Sequence, residues 1–131
     1  MQLEEYNGDI ILMEYDVVIA GAGPAGFGAA IGAAKLGKKV LIFDRNSAPG
    51  GVAAYCGCPV FAGLNSFIPE NSSGAAGLFA RSLEKCSMIW DNYKINTSEF
   101  SVGLMMSRLL REAGVDMLFY VELTDVKKEG N

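Results

Sequence analysis

Apolar residues fall into short runs separated by glycine, proline and polar positions, and the period of the runs changes along the chain. Tyr15 to Ala20 is almost uninterrupted in apolar residues, the pattern of a buried strand in a parallel sheet. Pro24 to Leu36, rich in alanine, predicts a helix that Gly37 ends at the C′ position. Val40-Leu41-Ile42-Phe43 predicts a second buried strand, ending on Asp44. Farther on, Gly74 to Trp90 predicts an amphipathic helix with Phe79, Leu83, Cys86 and Trp90 along one face and Arg81, Glu84 and Lys85 off it. Asn96 with Glu99 three residues later reads as a capping pair opening another helix. Val102, Met105, Met106, Leu109 and Ala113 form the core stripe of that helix, and Gly114 ends it. Val115 to Val121 predicts a third buried strand, parallel to the second and beside it, and Lys127 to Asn131 predicts a hairpin turn. Val52 to Ser66 has no clear period, and Asn65 to Ser73 is loop-like. Residues 1–13 read as an arm on the surface of a domain spanning residues 14–131.

Composition narrows the class. In 131 residues, 50% are hydrophobic and 20% charged, which suits a single globular domain with its own core. The net charge of −4 argues against a nucleic-acid partner. Val17 to Ala34 carries no charge, but Gly21, Gly23, Pro24, Gly26 and Gly28 interrupt it, so no membrane span is expected. The acidic residues ahead of it exclude a secretory signal, and a cytoplasmic protein is expected. Cys56, Cys58 and Cys86 do not make a disulfide framework. The chain has no histidine, which removes the commonest general base and metal ligand. No catalytic residue and no metal site are expected.

The chemistry lies between the first two strands. Gly21 permits a tight turn out of the strand, Gly23 lets a pyrophosphate approach the backbone, and Gly26 lets the helix pack close to the sheet. Pro24 suits the first helical position, and the free N–H groups of that turn make an anion site. A carboxylate at Asp44 is placed to accept hydrogen bonds from the ribose hydroxyls of an adenosine. Strand, glycine turn, helix, strand and acid is the order of a dinucleotide-binding βαβ unit.

Past Asp44 and Arg45 comes the doublet Gly50-Gly51, which a simple nicotinamide domain does not need. The segment from Tyr15 to Gly26, then Phe43-Asp44-Arg45, then Gly50-Gly51, resembles the start of FAD-dependent oxidoreductases of the glutathione-reductase-like fold. Within them it is most similar to uncharacterised members related to heterodisulfide reductase flavin subunits, where a short arm also precedes the first strand. The resemblance implies an α/β, Rossmann-like, three-layer FAD-binding domain with a parallel sheet. It implies that Gly21, Ala22, Gly23, Pro24, Ala25 and Gly26 line the FAD pyrophosphate, that Asp44 holds the ribose and that Arg45 flanks the adenine. Gly50 and Gly51 would pass close to the cofactor. Family members more often carry glutamate where this chain has Asp44.

In such flavoproteins the chain after the doublet runs toward the isoalloxazine ring, so Cys56 or Cys58 could be a redox thiol. Flavin disulfide reductases that use this region have four residues between their cysteines, whereas here a single residue intervenes, which favours a structural role. Cys86, on an apolar stripe, reads as core. Family members continue beyond this point, so the chain is expected to be an apparently truncated, N-terminal part of a larger flavoprotein acting on an unknown small molecule. An unpaired sheet edge would then favour self-association, and this chain alone would be inactive. The rival readings are an NAD-binding domain of a nicotinamide-dependent dehydrogenase and a non-catalytic nucleotide-binding fragment.

Overall fold

A computed structural model describes residues 13–56, 60–62, 74–85, 89–90, 94–96 and 98–130. Strand β1 (Val17–Ala20), helix α1 (Pro24–Lys35) and strand β2 (Val40–Asp44) follow one another. Next come α2 (Val52–Tyr55), β3 (Val60–Ala62), α3 (Ala75–Lys85), β4 (Ile89–Trp90), β5 (Lys94–Asn96), α4 (Glu99–Glu112) and β6 (Asp116–Phe119). Apart from Met13, the expected N-terminal arm lies outside the described residues, as do Cys58 and Cys86.

β1 pairs with β2 in parallel, from Val17 opposite Val40 to Ala20 opposite Phe43. β2 pairs with β6, also in parallel, from Leu41 opposite Asp116 to Asp44 opposite Phe119. The order β1-β2-β6 brings the carboxyl ends of all three strands to one side of the molecule. This is the expected α/β fold with a parallel, Rossmann-like sheet.

Sequence runs that look alike are buried differently because the strands hold different places. β2 is central, and Val40, Leu41, Ile42 and Phe43 are all buried. β1 is at the edge and alternates: Val17 and Ile19 pack against the core, whereas Val18 is 55% exposed. A strand buried throughout was expected there; an edge position exposes one of its faces. Helices α1, α3 and α4 cover the face of the sheet that carries Val17, Ile19, Val40, Ile42, Met117 and Phe119. Phe27 of α1 meets Phe79 of α3 edge to face, with ring centroids 5.7 Å apart. Val102, Met105, Met106, Leu109 and Leu110 of α4 complete this layer, the two methionines as core residues. Burying a side chain of the size of Ile31, Leu83 or Leu110 contributes roughly 1.5–3 kcal/mol, so the helix-facing layer holds the site in place.

Four further expectations need correction. The helix expected to reach Trp90 ends among the described residues at Lys85, and Ile89–Trp90 pairs with Ile95 and Asn96 of β5. β3 joins them in a small antiparallel sheet, ordered β3-β5-β4. Nonlocal pairing of two strong strand formers overrides the helical spacing. Ser98, and not Asn96, caps α4: its side chain accepts the N–H of Ser101 at 3.1 Å. Finally, β6 stops at Phe119, because Tyr120 adopts a left-handed conformation (φ 60°), and residues 121–130 form no hairpin. None of the described helices is long and apolar enough to cross a membrane.

Candidate functional site

The glycine loop begins where β1 ends. Gly21 has φ 105°, a region open to glycine, and its N–H donates to the carbonyl of Phe43 at 2.8 Å. The chain thus leaves the sheet in a sharp turn while still bonded to β2. At Gly26 a Cβ would overlap the carbonyl oxygen of Gly21 and come within 3.4 Å of Ile19 Cγ2. That glycine allows α1 to start directly against the loop. Pro24 is the first residue of α1, and no side chain caps the helix. No acidic residue stands in its first turn. The N–H groups of Ala25 and Gly26 therefore face outward from a helix start that favours an anion.

The pieces that lie far apart in sequence meet on Ala22. Its N–H donates to Asp44 Oδ2 at 2.7 Å, and its carbonyl accepts the N–H of Gly50 at 2.8 Å. Gly51 lies so close to Gly23 that a Cβ on it would come within 2.9 Å of the Gly23 Cα. Of the sequence-predicted residues, Gly21, Ala22, Gly23, Pro24, Ala25, Gly26, Asp44, Gly50 and Gly51 thus form one contiguous structure.

Asp44 is half-buried and well supplied with donors. Its Oδ1 accepts the Asn46 N–H at 2.9 Å and the Asn46 side-chain amide at 2.8 Å. Burial pushes the carboxyl up. The Asn46 N–H, the Ala22 N–H, the Asn46 side chain and the charge of Arg45 together outweigh that push and hold it below its ordinary range. The site therefore carries a fixed negative charge at neutral pH.

Beside these residues, a cavity of about 190 Å³ opens at the carboxyl ends of the strands, lined by Ala20, Gly21, Phe43, Asp44, Arg45 and Val121 to Leu123. Sequence reasoning placed Arg45 here but missed Ala20, Phe43, Val121, Glu122 and Leu123. The segment following β6 is brought in by two bonds: Tyr120 N–H to the Asn46 carbonyl at 3.2 Å and Val121 N–H to the Asp44 carbonyl at 3.1 Å. The signal available was the expected parallel pairing of the second and third strands, which brings their ends together. Cys56 is exposed at the end of α2, and no partner for it is found among the described residues.

An uncapped helix start at α1, a carboxylate at the end of β2 and a cavity with Phe43 in its lining fit a bound dinucleotide. The fold and the site define a Rossmann-like dinucleotide-binding unit. The chain belongs to the FAD dependent oxidoreductase family, whose model matches residues 16–131, and its cofactor is FAD. A soluble pyridine nucleotide transhydrogenase of Marinomonas sp. is 51% identical over 43 residues, 33% of this chain and 9% of that protein. One from Mycobacterium bovis is 33% identical over 84 residues, 64% of this chain and 16% of that protein. The chain thus spans a small part of the length of these relatives. Among solved structures, a flavoprotein/dehydrogenase from Cytophaga hutchinsonii superposes with a TM-score of 0.60 at 21% identity, covering 88% of this chain and 32% of that one. A geranylgeranyl bacteriochlorophyll reductase-like protein from Thermoplasma acidophilum matches with a TM-score of 0.60 at 20% identity, with the same coverage. At these identities the likeness shows the fold.

Proposed function

We propose that this chain holds the ADP half of FAD for a flavin-dependent oxidoreductase. The pyrophosphate lies at Gly21 to Gly26, the ribose at Asp44, and the adenine between Arg45 and the Val121–Leu123 segment. Gly50 and Gly51 close the loop from behind. The observation that carries this reading is the convergence on Ala22 of the acid from β2 and the glycine doublet. A packing turn without a ligand has no need of both. When bound, FAD supplies the hydride or electron transfer. The residues of this chain bind and orient it, and the substrate is a small molecule whose recognition lies outside the described site.

The finer placement beside heterodisulfide reductase flavin subunits rests on the motif order and on the residues preceding β1. A division into an arm, residues 1–13, and a nucleotide domain, residues 14–131, follows from the same reading. The cytoplasm is the proposed location, from the acidic residues ahead of the first strand. Pairing of copies through the edge of β1 is proposed from its place at one end of the sheet among the described residues.

The test is the colour of the purified full chain. A yellow protein that releases flavin absorbance on denaturation supports the proposal. A colourless protein that binds NADH but not FAD overturns it in favour of a nicotinamide site.

A further inference from the structure

Asn46 belongs to none of the motifs above, yet it makes three bonds, two of them to Asp44 in the lining of the cavity. Its N–H and its side-chain amide both donate to Asp44 Oδ1, at 2.9 and 2.8 Å. Its carbonyl accepts the N–H of Tyr120 at 3.2 Å. A carboxylate offers about four lone-pair sites, two on each oxygen. Asn46 fills both sites on Oδ1, and the Ala22 N–H fills one on Oδ2. Among the described residues this leaves a single acceptor site, and it is on Oδ2.

We propose that Asn46 is a positioning residue that limits Asp44 to one acceptor, so that the site reads one hydroxyl of the adenosine ribose and not both. This rests on the nucleotide reading above and sharpens it. A ribose diol could otherwise engage both oxygens of a free carboxylate. The torsion that swings a carboxylate is broad, so without the side-chain amide Oδ1 gains a vacant site and the group loses its fixed orientation. The carbonyl of Asn46 acts in the same sense. It holds the left-handed Tyr120 just ahead of Val121, the first residue of the facing wall. Asn46 thus bonds both to the acid and to the segment that leads into the wall.

The experiment is calorimetric titration of the full chain with ADP, 2′-deoxy-ADP and 3′-deoxy-ADP. With a single acceptor, one analogue should bind within about twofold of ADP and the other roughly tenfold more weakly, the loss of one hydrogen bond to a charged group. In Asn46→Ala the ratio between the two analogues should fall toward one. Asn46→Ser, which keeps a short donor, should retain the preference. A purely structural role would weaken all three ligands by one common factor and leave the ratio unchanged, which would overturn the proposal. So would equal penalties for the two analogues in the unaltered chain, a comparison that needs no variant to fold. If the unaltered chain binds none of the three, the nucleotide reading itself fails and this inference goes with it. Carbon-13 titration of the unliganded protein gives a readout free of ligand: the Asp44 carboxyl should titrate at higher pH in Asn46→Ala, and an unchanged midpoint would count against positioning.

Discussion

The N–H of Ala22 donates to Asp44 Oδ2 at 2.7 Å, across 22 positions of sequence. The acid at the end of β2 is thereby part of the glycine loop before any ligand arrives. Asp44 has a loop-holding duty besides the ribose-binding one proposed for it, and its shorter side chain suits the first. Removing it should show both. Asp44→Ala leaves the N–H groups of Ala22 and Asn46 without their acceptor. Hydrogen bonds to charged groups contribute about 1.5–3 kcal/mol, and because the site is half-exposed, water will replace part of this. Urea unfolding should show a loss of about 1–2 kcal/mol, and flavin titration a loss of affinity of about tenfold or more. Unchanged FAD affinity in this variant would remove Asp44 from the site.

The same carboxyl predicts a dependence on pH. Its native pKa lies below its ordinary value of 3.8, because the donors around it outweigh burial. As pH falls, the unfolded chain therefore takes up this proton before the native protein does. The contribution of Asp44 is fully present above the ordinary carboxyl value and is lost as pH drops through the depressed native one. Asp44→Asn cannot titrate there. The stability gap between the unaltered chain and Asp44→Asn, measured from about pH 6 down to about pH 3, should narrow at the acid end. A gap that widens would contradict the assignment.

Much of this was legible in the sequence because it is written locally. Gly21, Pro24 and Gly37 mark the loop and both ends of α1, and apolar runs mark the three parallel strands. What was not legible depends on partners distant in the chain. Val18 belongs to a run as apolar as that of β2, but the edge position of β1 exposes it. Trp90 continues the spacing of Phe79 and Leu83, but pairing with Ile95 takes it out of the helix. The cap of α4 was expected at Asn96, but the hydrogen bond from Ser101 N–H places it two residues on, at Ser98. Val121 to Leu123 joined the cavity only through the bonds that Tyr120 and Val121 make with Asn46 and Asp44.

Ser98 provides a check on the α4 assignment. Its Oγ accepts the Ser101 N–H at 3.1 Å and lies 2.7 Å from the Ser101 Oγ. Ser98→Ala should cost about 1 kcal/mol, the usual loss for a helix N-cap. Ser101→Ala keeps the backbone donor and should cost clearly less. Equal losses in chemical denaturation would show that the hydroxyl pair, and not the cap, supports the helix start.

Gly26 and Gly28 lie two positions apart on α1 and should respond to alanine with opposite signs. At Gly26 a Cβ would overlap the Gly21 carbonyl, an atom of backbone that the bond from Gly21 N–H to Phe43 ties to the sheet. The loop would have to shift, at a cost of about 1–3 kcal/mol, typical of overpacking. That shift would also spoil the surface offered to a pyrophosphate, so FAD affinity should fall with stability. At Gly28 nothing lies within 4 Å of a Cβ and the backbone is helical. Alanine there should stabilise the protein by about 0.5–1 kcal/mol, because glycine loses more conformational freedom on folding, and FAD affinity should not change. Thermal unfolding and flavin fluorescence titration of the two variants read both quantities. If Gly26→Ala matched Gly28→Ala in stability and in affinity, the tight start of α1 against the loop would not be what shapes this site.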